Sequence, residues 1–265
     1  MAGRHNQRVK LLRRLGRRKY REEEGLFLVE GLRFVEEALS SNWRVELVAC
    51  TEKATVSPRG KALLQAAEAA LLPVMEVDEK LLAELADTKT PQGVLAVVRQ
   101  KQVRLCDFLS PGKIPLLLVV DGVQDPGNLG AIIRTADAAG AGGVLLLKGT
   151  VDLYNPKTLR STMGSVFHLP VMQGLEPEQV SEFLAGAGIR LFAGQPRAEK
   201  SLYEVNMKKP CAFLLGSEGQ GPGGVAAGGA ENVSIPMPGR AESLNVAAAA
   251  AVLLYEALRQ RGLRD

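Results

Sequence analysis

The stretch Leu116-Leu117-Leu118-Val119-Val120-Asp121-Gly122-Val123-Gln124-Asp125-Pro126-Gly127-Asn128-Leu129-Gly130-Ala131-Ile132-Ile133-Arg134-Thr135-Ala136 changes character twice. An apolar run gives way to a polar loop, and the loop to a helix start. With Gly143 to Leu147 reading as the next strand, residues 116–120, 129–139 and 143–147 form a strand–helix–strand unit. Its two strands must run parallel, because the helix carries the chain back. A similar break recurs at Gly216-Ser217-Glu218-Gly219-Gln220-Gly221, after apolar Ala212 to Leu215, and again from Ile235 to Asn245. Three polar loops abutting buried elements are what a site at one edge of an α/β sheet requires.

Working outward, helices are expected at 178–187 and 243–261, and strands at 189–193, 211–216 and 232–235. Upstream, Val9, Leu12 and Leu15 predict an amphipathic helix over 4–19. Strands at 26–29, 45–50, 74–77 and 93–98 alternate with helices at 31–39, 60–71 and 79–85, a pattern that makes a small α/β domain. Residues 101–113, with Pro111-Gly112, read as a linker. The expected organisation is an α/β domain over 1–100, the linker 101–113, and a second α/β domain with a mostly parallel sheet over 114–265.

Nearly half of the 265 residues are hydrophobic, and no apolar run approaches bilayer length. The N-terminus shows Arg4, His5 and Asn6 rather than an apolar signal core, so a cytoplasmic protein is expected. Cys50, Cys106 and Cys211 are widely spaced and form no metal-type pair, and His5 and His168 complete the possible soft ligands. The expectation is no metal, with the cysteines as small core residues and His168 as a packed or edge-strand residue.

Charge is unevenly distributed. Residues 1–110 carry 19 Lys+Arg against 15 Asp+Glu, whereas residues 111–265 carry 14 against 14. Arg4, Arg8, Lys10, Arg13, Arg14, Arg17, Arg18, Lys19 and Arg21 all precede the first acidic residue, Glu22. A solvated helix face beside Glu22-Glu23-Glu24 is one reading, and an electrostatic footprint for a phosphate backbone is the other. A membrane surface fits less well, because Val9, Leu11, Leu12 and Leu15 include no aromatic anchor.

The first loop has neither Gly-x-Gly-x-x-Gly nor Gly-Lys-Ser/Thr, which disfavours dinucleotide and triphosphate sites. Pro126, Gly127 and Asn128 are adequately explained as a turn and cap. Arg134 is not, and a planar guanidinium there suits phosphate or carboxylate. In the second loop, three glycines beside the lone acid Glu218 allow backbone to approach a flat ligand. In the third, Ser243 is the natural N-cap of the last helix, which leaves Asn245 free to hold something else.

Together these segments strongly resemble the SpoU branch of the knotted α/β methyltransferases, the SPOUT class. The resemblance rests on Asp125 to Gly130 through Arg134-Thr135-Ala136, on Gly216-Ser217-Glu218-Gly219, and on Ile235-Pro236-Met237 with Ser243-Leu244-Asn245-Val246. Residues 4–98 resemble, more loosely, the substrate-binding domain often found ahead of it, through Asn6, Lys10, Arg17 to Arg21, Phe27 to Gly31 and Gln92-Gly93. Ala247 stands where the family often has a small hydroxyl residue, which leaves the chemistry untouched.

The resemblance implies 2′-O-methylation of ribose in structured RNA, rRNA before tRNA, with S-adenosylmethionine as donor. It implies a C-terminal trefoil knot and a homodimer in which Arg134 of one subunit faces the cofactor of the other. Backbone at Gly216, Ile235, Met237 and Leu244 would hold the cofactor, and Asn128, Glu218, Ser243 and Asn245 would orient Arg134 and the ribose. Arg4, Arg8, Lys10, Arg17, Arg18, Lys19 and Arg21 would contact RNA. Family mechanisms make Arg134 a base, but a guanidinium holds its proton far above neutral pH, so a phosphate clamp that stabilises alkoxide is the better role. The rival readings are a non-catalytic RNA-binding protein and, more distantly, a nicotinamide dehydrogenase.

Overall fold

A computed structural model describes residues 6–216, 225 and 229–262, and they divide into two compact units. The first comprises the chain up to Gln102 together with Tyr154–Phe167, and the second comprises Val103–Leu153 and His168 onward.

The first unit opens with α1 (Gln7–Leu15), capped by Asn6, whose side chain accepts from Arg8 N at 2.8 Å. Val9, Leu12 and Leu15 are buried on one face. The single helix expected over 4–19 stops at Gly16, and a second helix, α2 (Arg18–Glu24), follows. Glycine has the poorest helix propensity among ordinary residues, and it falls where that one buried face ends. Gly25, at φ 62, closes α2 and releases the chain into β1 (Leu26–Glu30). Then come α3 (Leu32–Ser40), β2 (Val45–Cys50), the short α4 (Glu52–Val56), which the sequence does not announce, α5 (Pro58–Ala69), β3 (Val74–Glu76), α6 (Glu79–Leu85) and β4 (Val94–Arg99). The sheet order is β1-β4-β2-β3, with β4 antiparallel to both neighbours and β2 parallel to β3. Central β4 is buried from Val94 to Val98, as a strand covered on both faces must be.

Residues 101–113 are not a bare linker. A 3-10 turn at Leu105–Phe108 sends the Phe108 ring into the second unit's core. A Cβ on Gly143 would come within 2.5 Å of that ring, so only glycine fits there.

The second unit continues with β5 (Leu116–Asp121), α7 (Pro126–Ala138) and β6 (Gly143–Leu147). The chain then returns to the first unit for α8 (Pro156–Thr162). There Tyr154 packs on Phe27 at 4.7 Å between centroids, and Phe167 packs on Phe34 at 5.4 Å and Trp43 at 5.3 Å. By sequence this segment belongs with 114–265, but its aromatic residues are buried against the first unit's own aromatics.

Back in the second unit, β7 (Val171–Leu175), α9 (Pro177–Gly186), β8 (Arg190–Gly194), β9 (Cys211–Gly216), β10 (Glu231–Val233) and α10 (Val246–Arg261) complete the fold. The sheet is six-stranded and all parallel, ordered β10-β8-β9-β5-β6-β7. Its central strands read as near-continuous apolar runs because helices cover both faces. α10 packs on α7 and β9. Its last turn is fixed by Arg261, whose guanidinium donates to the carbonyls of Met207, Ile114, Pro115 and Lys209 at 2.8 to 3.0 Å.

Two further expectations are corrected. His168 follows a 3-10 turn rather than lying in a strand; it is exposed and bonds Asp137 Oδ2 through Nδ1 at 2.9 Å. Cys50 and Cys211 are buried, but Cys106 is exposed, because its neighbour Phe108 takes the buried side of the turn.

Candidate active site

β5 and β9 lie side by side, in register from Leu116 opposite Cys211 to Asp121 opposite Gly216. The loop after Asp121 and the segment after Gly216 therefore leave the sheet at the same carboxyl edge. From there the connections diverge: β5 leads through α7 to β6 on one side, and β9 leads to β10, beyond β8, on the other. Such a divergence opens a crevice where parallel α/β sheets bind ligands.

The third segment joins the first loop through one hydrogen bond. Asn245 Nδ2 donates to Asn128 Oδ1 at 3.0 Å, across 117 residues of sequence. Asn245 also caps α10, its Oδ1 accepting from Ala247 N at 3.0 Å and Ala248 N at 3.4 Å. The cap is thus Asn245 and not Ser243, because α10 starts at Val246 and Ser243 lies too far upstream. Nor is the Asn245 side chain free, since both its ends are engaged. Asn128 in turn does not cap α7; Asp125 does, accepting from Asn128 N at 2.8 Å.

The first loop is braced by residues that sequence reading passes over. The Thr150 hydroxyl donates to Val120 O and accepts from Gly122 N, both at 3.2 Å. Gln124 Nε2 donates to Gly122 O and to Gly149 O. No local pattern announces this brace, which exists only because β5 and β6 are parallel neighbours and their exit loops meet.

Gly216, Ile235 and Met237 are half-buried, and Leu244 is 36% exposed. Among the described residues, none of residues 235–244 exchanges a backbone hydrogen bond with another. Backbone donors and acceptors with no partner among the described residues, partly covered at Ile235 and Met237, are suited to a polar ligand. Arg134 is exposed on α7, and no hydrogen bond or ion pair ties its guanidinium to another described residue. Glu218 lies outside the described residues, as does Arg4.

In the first unit, Arg8, Lys10, Arg17, Arg18 and Lys19 are exposed. Arg18 pairs with Glu22 at 2.7 Å and Lys19 with Glu23 at 3.8 Å, so part of the basic run is neutralised on its own helix. Arg21 is a correction. It is only 4% exposed, and its Nη1 donates to Leu15 O at 3.0 Å, so it ties the end of α1 to α2 and cannot face a polyanion. Its position at the buried face of α2 decides this.

Carboxylates with displaced titration stand on the flanking elements. Hydrogen bonds from Lys200 and then Arg190 hold Glu231 on β10 below the usual carboxylate range. Glu256 on α10 is held down chiefly by its hydrogen bonds from Arg259.

This arrangement can be set beside known proteins. A model of the SpoU rRNA Methylase family matches residues 115–255, and a model of an MRM3-like substrate binding domain matches residues 6–96. The chain belongs to the SpoU rRNA methylase family. It is 35% identical to the 23S rRNA (guanosine(2553)-2′-O)-methyltransferase RlmP of Bacillus subtilis, over 94% of this chain and 95% of that protein. It is 33% identical to the 23S rRNA (uridine(2479)-2′-O)-methyltransferase of Streptomyces viridochromogenes, over 93% and 87% respectively. Among solved structures it resembles an S-adenosylmethionine-bound rRNA methyltransferase from Sinorhizobium meliloti, with TM-score 0.87 and 33% identity over 100% and 98% of the two chains. It also resembles the SpoU methyltransferase AviRb of Streptomyces viridochromogenes in complex with the same cofactor, with TM-score 0.85 and 31% identity over 97% and 99%.

Proposed function

We propose that this chain transfers a methyl group from S-adenosylmethionine to a ribose 2′-hydroxyl in ribosomal RNA, acting as a cytoplasmic homodimer. The observation that carries the reading is the Asn245–Asn128 bond. It draws the start of α10 onto the loop that follows β5, beside backbone at 235–244 that has no backbone partner among the described residues. When bound, the cofactor supplies a methyl group already activated on a sulfonium.

The remaining work falls to the chain. Backbone at Gly216, Ile235, Met237 and Leu244 would hold the cofactor when it binds. The Asn128–Asn245 pair fixes the wall against which the ribose is aligned, and alignment lowers the barrier of a transfer whose donor is already activated. Ser243, exposed just ahead of the cap, completes that wall, and the family resemblance gives Glu218, outside the described residues, the same orienting role. Arg134 clamps a phosphate and stabilises the developing alkoxide, while the hydroxyl proton passes to solvent water and the sulfur leaves as the neutral thioether. It faces the partner's site across a dimer built on α10, where Tyr255 is exposed and Ala251 and Val252 are half-buried on one face, with exposed Leu244 just ahead of the helix. The segment from 235 into α10 is read as the threaded arm of a trefoil knot. The 1–100 domain, through Arg8, Lys10, Arg17, Arg18 and Lys19, grips folded RNA by phosphate and shape rather than sequence.

Incubation with labelled S-adenosylmethionine and either 23S rRNA or tRNA tests this, with the methylated ribose mapped. Label in tRNA alone would replace the substrate. Cofactor binding without transfer to either RNA would return the chain to a binding role. Arg134→Ala is expected to keep calorimetric cofactor binding while transfer falls by on the order of 10²–10³. Equal turnover by mutant and wild type would remove Arg134 from the mechanism.

A further inference from the structure

A cavity of about 370 Å³ in the first unit uses none of the residues assigned above. Its volume lies within the range of small-ligand pockets. Arg33 and Phe34 from α3, Thr90 and Gln92 from the turn before β4, and Arg160 and Met163 from α8 line it. The two family matches thus meet in one pocket, residues 6–96 supplying four of these side chains and residues 115–255 the other two.

The polar groups here are already sorted. Glu30, at the end of β1, accepts from Asp87 N at 2.9 Å, from Thr88 N at 3.3 Å and from the Thr88 hydroxyl, so its charge is turned to protein donors. Arg160 Nη1 is paired with Asp87 Oδ2 at 2.6 Å. Gln92 Oε1 accepts from Leu32 N at 2.9 Å, which leaves the amide nitrogen as the end that can donate. Arg33 is exposed and donates no hydrogen bond to a described residue.

The apolar groups are placed by backbone that is costly to build. Gly31, at φ 97, turns β1 into α3 and sets Phe34, whose ring is held by Phe167. Met163 ends α8 at φ 53, a conformation rare for a residue with a side chain, and the residue, 45% exposed, lines the cavity. The result is an apolar slot with one outward amide donor and, beside it, the Arg33 guanidinium, which has Glu36 as an electrostatic neighbour but spends no hydrogen bond on a described residue. An uncharged planar ring fits the slot, and an attached phosphate fits Arg33.

We infer that this pocket takes up one unstacked nucleotide of single-stranded RNA, its base against Phe34 and Met163 and its phosphate on Arg33. Loops and bulges are where RNA offers such a nucleotide, and stacking on apolar or aromatic side chains tolerates any base. The inference rests on the reading of the substrate as RNA.

The test uses the full chain with a short fluorescent single-stranded RNA, the same length of RNA duplex, uridine monophosphate and 23S rRNA. Arg33→Ala removes the phosphate contact, and Thr90→Trp fills the slot from an exposed position. Each variant is expected to bind single-stranded RNA and 23S rRNA at least about fivefold more weakly, the low end of a lost base contact. Thermal melts and calorimetric S-adenosylmethionine binding should match wild type. Duplex should compete poorly, and ultraviolet crosslinks should map to 30–34, 88–92 or 160–163. Wild-type RNA affinity in both folded variants, with rRNA methylation intact, overturns the pocket alone. Tight binding of uridine monophosphate without binding of single-stranded RNA overturns the assignment to RNA. A wild-type protein that neither binds nor methylates RNA overturns the functional reading with it.

Discussion

Replacing Asn245 by alanine removes two interactions at once. The cap on Ala247 N and Ala248 N contributes about 1 kcal/mol. The bond to Asn128 contributes about 1 kcal/mol more, as a typical neutral hydrogen bond. Asn245→Ala should therefore cost about 2 kcal/mol, or about 4–8 °C in melting temperature for a chain of this size. Asn128→Ala should cost about 1 kcal/mol, because Asp125 still caps α7. Asn245→Ser keeps a capping oxygen but is too short to reach Asn128, so it should match Asn128→Ala. The double alanine variant should then cost about 2 kcal/mol rather than the sum of the singles, a coupling of about 1 kcal/mol. Urea and thermal unfolding followed by circular dichroism measure every corner of the cycle. A coupling indistinguishable from zero would show that the two loops are not joined by this bond, and the account of how the site is assembled would fail.

Other expectations concern the rest of the molecule. Arg21→Ala should lower stability by about 1.5–3 kcal/mol, the scale of a lost hydrogen bond from a charged donor, with little change in the salt dependence of RNA binding. Arg17→Ala, at an exposed position, should leave the melt unchanged and reduce the salt slope of rRNA binding by about one. Glu256, held below its ordinary value of 4.5 by Arg259 and Gln260, contributes stability that is present above that value and lost as pH falls through its lower folded value. Glu256→Gln should flatten the acid limb of a stability-versus-pH curve below about pH 5, and an unaltered limb would exclude this pair. A maleimide titration of the folded chain should label Cys106 and spare Cys50 and Cys211, whose thiols burial also pushes up; rapid labelling of all three would contradict the packing of β2 and β9.

Where a signal was local, it could be read from the chain. The parallel unit at 116–147 was legible because uniform apolar runs mark strands buried on both faces. Placement of Ser243, Asn245 and Asn128 was harder. Each is a plausible cap by residue type, and only the true first turn, at Val246 or Pro126, decides which oxygen meets which N–H. Arg21 looked like its basic neighbours because charge patterning cannot tell which side of a seven-residue helix faces the core. α8 and β7 escaped notice because Pro156 to Thr162 and Val171 to Leu175 lack a clear period. Their burial comes from long-range partners, Tyr154 on Phe27 among them. The Thr150 and Gln124 brace was invisible for the same reason, being a product of sheet order.

The return of residues 154–167 to the first unit bears on how the chain is made. Ribosomes deliver the N-terminal residues first, and a continuous leading domain could finish folding while the remainder is still being translated. Here the aromatic cover over Phe27, Phe34 and Trp43 arrives only after β5, α7 and β6 have emerged. A fragment severed after Gln102 would keep its sheet but bare those rings, and a sticky, aggregation-prone piece is the expected product. Dissection of this protein by a single cut between its family matches would therefore mistake a missing lid of aromatics for intrinsic instability.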